Sequence, residues 1–372
     1  MAKNLSESDN TEVILLEKNA FFYHTIGAPR AYVEADYVKK MFIPYDDAIP
    51  KRAKSFVRIV RGVATQISAE TNEVSYREIG SDDKESDITE VLSFDYLVLA
   101  TGSSYAVPIK QDDHDYGRSA TEEKLEEVRG HIEKAEKILI VGGGGVGCEV
   151  AAEIRAKYPD KSVTIVHSHK QLISSNNLRD KFYTYLNASL DTLGVKVILG
   201  ERLTERLNGN SFEKRTLQTD KGTMIESDIQ LLCGGFRPVA TLVQEMDPKL
   251  VTERGAIRVN AQLQLEGEQY KHMFALGDVC NHPTPKNAMW ASRQGMFLAS
   301  ELVSIVRKKQ AGFKPFVVET EAMVLSLGPA GGVSQLPWLG GIVLGDWFTW
   351  AFKSRDYGAS RIWASVGATV PN

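Results

Sequence analysis

The run Gly142-Gly143-Gly144-Gly145-Val146-Gly147 places glycines 142, 144 and 147 at the spacing GxGxxG. The first such glycine permits a tight strand-to-helix turn, the second lets the backbone approach a pyrophosphate, and the third lets helix and strand pack closely. The helix that follows supplies free N–H groups and the positive end of its dipole. Glu149, two residues further on, puts a carboxylate in the first turn of that helix. In an NAD site an acid ends the second strand and takes the ribose 2′-hydroxyl. Here that position holds His167, followed by Ser168, His169 and Lys170. No carboxylate there repels a 2′-phosphate, so NADPH is expected to be accepted at least as well as NADH. His169 and Lys170 fit a phosphate clamp and fit an ordinary basic surface cluster equally well. A second candidate is Asp278 in Ala275-Leu276-Gly277-Asp278. Its carboxylate stands beside a helix start, where it would accept from a hydroxyl of an extended phosphorylated cofactor or simply cap the helix.

These residues need strands and helices to hold them. The apolar run Glu12 to Glu17 reads as a strand ending in a carboxylate, preceded by the end of a helix from Met1 to Ser8. VLSFDYLVLATG, Val91 to Gly102, reads as one buried strand stopping at Thr101-Gly102. A charged amphipathic helix over 121–136 leads into a strand from Lys137 to Val141, the glycine loop, a helix from Cys148 to Tyr158, and a strand from Ser162 to Val166. Together they make one βαβ unit of about 30 residues. Ile229 to Leu232 is a further strand, ending at Cys233-Gly234-Gly235. Met273 to Leu276 is another, followed by a helix from about Pro285 to Val306.

At ~150 residues per domain, 372 residues predict two to three domains. The 44 basic and 48 acidic residues give a net charge of −4 without a basic tail, so nucleic acid is not an expected partner. Cys148, Cys233 and Cys280 are isolated and odd in number. They form neither a redox-active pair nor a metal cluster, so no metal site is expected and a reducing, cytoplasmic setting is the default. The N-terminus carries no signal-peptide pattern, and Ala2 in place of glycine excludes N-myristoylation of this chain. Ala322 to Gly345 has no charge but contains Pro329, Pro337 and six glycines, which reads as sheet and turns rather than a membrane span. Trp338 within it and Trp347, Phe348, Trp350 and Phe352 after it crowd one short segment, with Lys353 and Arg355 beside them. That composition suits peripheral contact with a membrane or lipid-droplet surface, and equally suits core packing.

Glu17 after VILLE, Ala100-Thr101-Gly102, the GGGGVG loop, Cys233-Gly234-Gly235 and Leu276-Gly277-Asp278 occur in the order of flavoproteins with two dinucleotide-binding domains. With Phe22-Tyr23-His24, Arg30, Lys39 to Ile43, GVGCEVAAEI, Thr284-Pro285-Lys286 and Lys353-Ser354-Arg355-Asp356, the chain resembles the AIF-like ferroptosis suppressor group, relatives of type II NADH dehydrogenases. The resemblance implies an α/β fold of two Rossmann-like domains and a small C-terminal α+β domain. FAD would be held by residues 1–112 and 253–312, NAD(P)H by 113–252, and 313–372 would cover the flavin. It implies hydride transfer from NADH or NADPH to FAD and a ubiquinone-type quinone as acceptor. Glu17 would bind the FAD ribose, Arg30 would lie along the cofactor, and the backbone at Val63 and Ala64 would meet adenine. Thr101, Gly102, Asp278 and Lys286 would complete the FAD contacts. Gly142, Gly144, Gly147, His167, Lys170 and Gly234 would hold NAD(P)H. Glu149 would face the nicotinamide, and Lys353 the flavin and the path of the quinone. The group also begins with a strand and a glycine loop of its own, which this sequence does not display, so weak FAD binding by the chain as given is expected. A flavin-poor nucleotide-binding or interaction protein is the alternative.

Overall fold

The computed structural model describes residues 4–174, 178–318 and 321–371. The most regular part is a four-stranded parallel sheet of β6 (Lys137–Val141), β7 (Ser162–His167), β8 (Lys196–Leu199) and β9 (Ile229–Leu232), in the order β8-β7-β6-β9. These strands are apolar runs because both faces are covered. On one face Ile138, Ile140, Val163 and Ile165 pack against helices α2 (Arg118–Lys134), α3 (Gly145–Lys157) and α4 (Asp180–Thr192). On the other, Leu139 and Val166 meet Leu217 and Ile225 of the hairpin Arg215–Gln218/Met224–Ser227.

The N-terminal part holds β1 (Val13–Glu17), parallel to β2 (Val57–Ser68), which continues antiparallel into β3 (Glu73–Ile79) and β4 (Glu85–Ser93). Separately, β5 (Leu97–Leu99) runs parallel to β10 (Met273–Ala275). The predicted single strand from Val91 to Gly102 is thus two elements. Phe94 N–H turns back to the Asn72 carbonyl while Leu97 N–H reaches the His272 carbonyl, so the partner changes between them. Helix α5 (Ala288–Val306) joins both pairs: Val303 and Val306 pack with Val13 and Val57, Leu298 and Leu302 with Phe274. Among the described residues, no strand pairs with the second edge of β1 or of β5. The expected helix end at the N-terminus lies partly outside the described residues, and Glu7–Asp9 forms one 3₁₀ turn.

The C-terminal part is an antiparallel sheet, β11 (Met323–Ser326), β12 (Gly332–Leu336) and β13 (Ile342–Leu344), followed by helical turns. The uncharged stretch is therefore sheet and turns, and no helix among the described residues is long and apolar enough to cross a membrane. Helix α3 packs against both β11 and the short helix α1 (Ala28–Ala31), bringing three distant parts of the chain together.

Candidate active site

The glycine loop is sterically obligatory. A Cβ on Gly142, whose φ is +118°, would lie 2.7 Å from the Cys233 carbonyl oxygen, and one on Gly147 would lie 1.9 Å from the Gly142 oxygen. Nothing approaches the Cβ position of Gly144, which faces open space. The loop borders a cleft of about 990 Å³ lined by Gly142, Val166, His167, Glu201, Gly234 and Arg237 among others. It lies at the C-terminal ends of the parallel strands, where open α/β sheets bind ligands. His167 accepts from the Gly143 N–H through Nδ1 at 3.2 Å, and its Nε2 is buried without a protein partner. Burial holds the imidazole below its usual pKa, so it braces the loop as a neutral ring.

Sequence reasoning found no acid at the end of β7, but the fold brings one from the end of β8. Glu201 donates its N–H to the His167 carbonyl at 3.1 Å, and its carboxylate accepts from the Thr219 hydroxyl at 2.5 Å. Hydrogen bonds from Thr219 and Thr223 hold that carboxyl below its ordinary range. No sequence spacing announces this, because the contact depends on adjacent strands ending level. Lys170 is exposed and outside the cleft, with its Cγ 3.9 Å from the Cβ position of Gly200.

Glu149, 5% exposed, accepts from Lys353 Nζ at 2.6 Å and from the Ser326 N–H at 3.0 Å. Lys353 also donates to the Val324 carbonyl at 3.1 Å. Burial pushes the Glu149 carboxyl above the usual range while Lys353 pulls it back. Beside this pair, His24 is fully buried with neither ring nitrogen partnered. Burial pushes it down to about 4, opposed by the Tyr357 backbone and the charge of Asp356 and reinforced by that of Lys353.

The other residues expected to meet FAD lie at strand ends and the turns after them, in the middle of β2, and on α1. Glu17 closes β1 and accepts from the Asn19 N–H at 3.0 Å, and burial raises its carboxyl. Thr101 donates to the Val239 carbonyl at 2.6 Å, and Gly102 takes a φ of +70°. Asp278 is not the cap of α5. Asn287 fills that role by accepting from the Trp290 N–H, while Asp278 accepts from the Ser103 hydroxyl at 2.7 Å and from Lys110 at 3.4 Å. Ser103 and Lys110 were not legible as partners in the sequence. Lys286 donates to the His282 carbonyl at 2.8 Å. Val63 and Ala64 pair with Arg77 and Tyr76 across β2 and β3, just before a register shift. The Arg30 guanidinium is engaged by Glu153 of α3.

Residues 1–295 match the family Pyridine nucleotide-disulphide oxidoreductase. The chain belongs to that family. It is similar to Ferroptosis suppressor protein 1 of Xenopus tropicalis, 30% identical over 96% of this chain and 90% of the relative. It is equally similar to Apoptosis-inducing factor homolog B of Dictyostelium discoideum, 30% identical over 100% and 94%. The solved sulfide:quinone oxidoreductase of Aquifex aeolicus shares the fold with a TM-score of 0.73 over 99% of this chain and 89% of that one, at 14% identity. As a member of the pyridine nucleotide-disulphide oxidoreductases the protein is an oxidoreductase that works with FAD and NAD(P)H. Its three cysteines are free and buried, so it lacks the disulphide of the family's name. The residues present fit both groups. Gly144 leaves a cradle open for a pyrophosphate, and Asn19 Oδ1 and both His24 nitrogens are buried polar atoms without a protein partner.

Proposed function

We propose that the protein is an NAD(P)H:quinone oxidoreductase whose acceptor is a lipid-soluble quinone of the ubiquinone type. The observation that supports this reading most is the Glu149–Lys353 pair. It joins the helix opened by the glycine loop to the C-terminal segment that carries the exposed aromatic residues. Bound FAD supplies the ability to take a hydride and release electrons singly or in pairs. The chain supplies placement, charge and protons. The glycine loop and His167 would hold the dinucleotide, and Glu201 would accept from its ribose. Reducing a quinone to the hydroquinone consumes two protons, and Glu149, whose carboxyl pKa burial raises, would relay them from solvent. The Lys353 ammonium offsets negative charge gathering on a quinone oxygen.

Trp347, Trp350 and Phe352 are 77%, 41% and 46% exposed, and Arg355 and Arg361 lie over the rings of Trp350 and Phe352. Exposed rings backed by cations suit the headgroup region of a bilayer or lipid droplet, where such a quinone is dissolved.

The test is steady-state oxidation of NADH and NADPH with a short-chain ubiquinone, flavin content being read by absorbance. Glu149→Ala and Lys353→Ala are each expected to lower kcat at least ~10-fold with bound flavin unchanged, a loss of about 1.4 kcal/mol of transition-state stabilisation. Variants that reduce quinone like the parent would refute the assignment.

A further inference from the structure

Lys353 lies on a single π-helical turn, Trp350–Ser354, 204 residues from its partner Glu149. Its own Nζ contacts cannot fix the backbone that carries it, and a second set of contacts does so from below. Arg30 of α1 donates from Nε to Glu153 Oε2 at 2.6 Å and from Nη2 to Glu153 Oε1 at 2.9 Å. The same Nη2 donates to the Ser354 carbonyl at 2.9 Å, directly after Lys353. The Tyr357 hydroxyl donates to Glu153 Oε1 at 3.0 Å, and the Tyr357 N–H to the Lys353 carbonyl at 2.6 Å. The Arg30 guanidinium and Lys353 Nζ both lie over the Tyr357 ring, 5.3 and 5.6 Å from its centroid. Arg30, Glu153, Ser354 and Tyr357 are all buried.

Glu149 and Glu153 are four residues apart on α3 and so share a face. One face of the nucleotide-side helix therefore grips the C-terminal segment twice, at the Lys353 side chain and, through Arg30 and Tyr357, at the backbone around it. Buried ion pairs are poor devices for net stability, because desolvating both charges consumes the attraction between them. Their value lies in geometry, and a bidentate guanidinium–carboxylate fork is among the most directional contacts available.

We infer that Arg30, Glu153 and Tyr357 are positioning residues that hold the Lys353 turn in register with Glu149. The inference rests on reading Glu149 and Lys353 as the reactive pair, and its main test needs neither flavin nor quinone. Purified full-length protein is treated with limiting acetic anhydride, and acetylation is read lysine by lysine by mass spectrometry, with exposed Lys84 and Lys214 as references. Glu153→Gln is expected to speed acetylation of Lys353 about tenfold relative to the references. Tyr357→Phe, which removes one hydroxyl and keeps the ion pair, is expected to speed it about threefold. NADPH affinity, read by fluorescence titration, stays at the parent value in both, because the cleft shares no residue with this network. In turnover, kcat falls while KM for NADPH holds. The inference is overturned if Lys353 in Tyr357→Phe labels at the parent rate, or if Glu153→Gln accelerates Lys353 no more than Lys84 and Lys214.

Discussion

At the scale of single residues the site is a set of buried polar groups whose partners come from far along the chain. His24 shows what that costs. Its folded pKa of about 4 lies below the 6.5 of an exposed imidazole, so below pH 6.5 the unfolded chain takes up a proton that the folded one refuses. Stability from this group is complete above pH 6.5 and drains away as the pH falls toward 4. Asp356 and Lys353, the charges facing the ring, oppose one another and leave burial dominant. Between pH 7 and pH 5 the loss is roughly 2 kcal/mol at 1.36 kcal/mol per pH unit. His24→Phe should remove that part of the acid sensitivity, and urea midpoints at the two pH values measure it. Glu201 carries a second prediction. Glu201→Gln should raise the ratio of kcat/KM for NADPH over NADH by up to ~10-fold, about 1.4 kcal/mol, by removing a carboxylate from beside the ribose. An unchanged ratio would take Glu201 out of nucleotide choice. His24 stood in the sequence only as part of Phe22-Tyr23-His24, without its burial, and Glu201 was not legible at all. The sequence shows the empty acid position at His167, but only the level ends of β7 and β8 bring Glu201 to it.

At the scale of elements, α3 organises the site. The glycine loop that opens it borders the cleft, Glu149 and Glu153 reach the C-terminal segment, and its apolar side packs on the parallel sheet. Such a helix has no room to shift. Gly147→Ala drives a methyl against the Gly142 carbonyl, at a point where the space is 1.9 Å, so loop and helix must separate. Dinucleotide binding should weaken at least ~100-fold, about 2.7 kcal/mol, by titration calorimetry, whereas Gly144→Ala, which meets nothing on the protein, should act only through the ligand. This unit was the most legible part of the chain, because the periodicity of strand, glycine loop and helix is local. The break between β4 and β5 was not, because Phe94 and Leu97 choose partners at Asn72 and His272, one near in sequence and one remote.

At the scale of the whole molecule, the two most exposed large apolar side chains among the described residues lie in one short C-terminal stretch. Leu339 is 87% exposed and Trp338 65%, in addition to the rings of 347–352. If they dock on lipid, the Trp347, Phe348 and Trp350 triple alanine variant should lose sedimentation with anionic liposomes while keeping its melting temperature. A variant that sediments like the parent would return these rings to the role of packing. The sequence could not decide this, because composition is the same for a core and for a membrane-facing surface.

The late pairing of β1, β2 and β5 bears on how the chain is made, and the second edges of β1 and β5 meet no strand among the described residues. Leu15 and Val98, on those two strands, are 43% and 36% exposed, and exposed parallel edges recruit extended apolar chain. On the ribosome the strands of the parallel sheet β6 to β9 emerge together, between Lys137 and Leu232, and close on one another. Leu97–Leu99 instead waits for Met273–Ala275, and β1 and β2 wait for the covering α5. At ~5–20 residues per second that wait is about ten to fifty seconds. For this interval β1, β2 and β5 lack the partners that later cover them, so chain arrested before Met273 is expected to be bound by chaperones and degraded faster than the full-length chain, as pulse-chase would read.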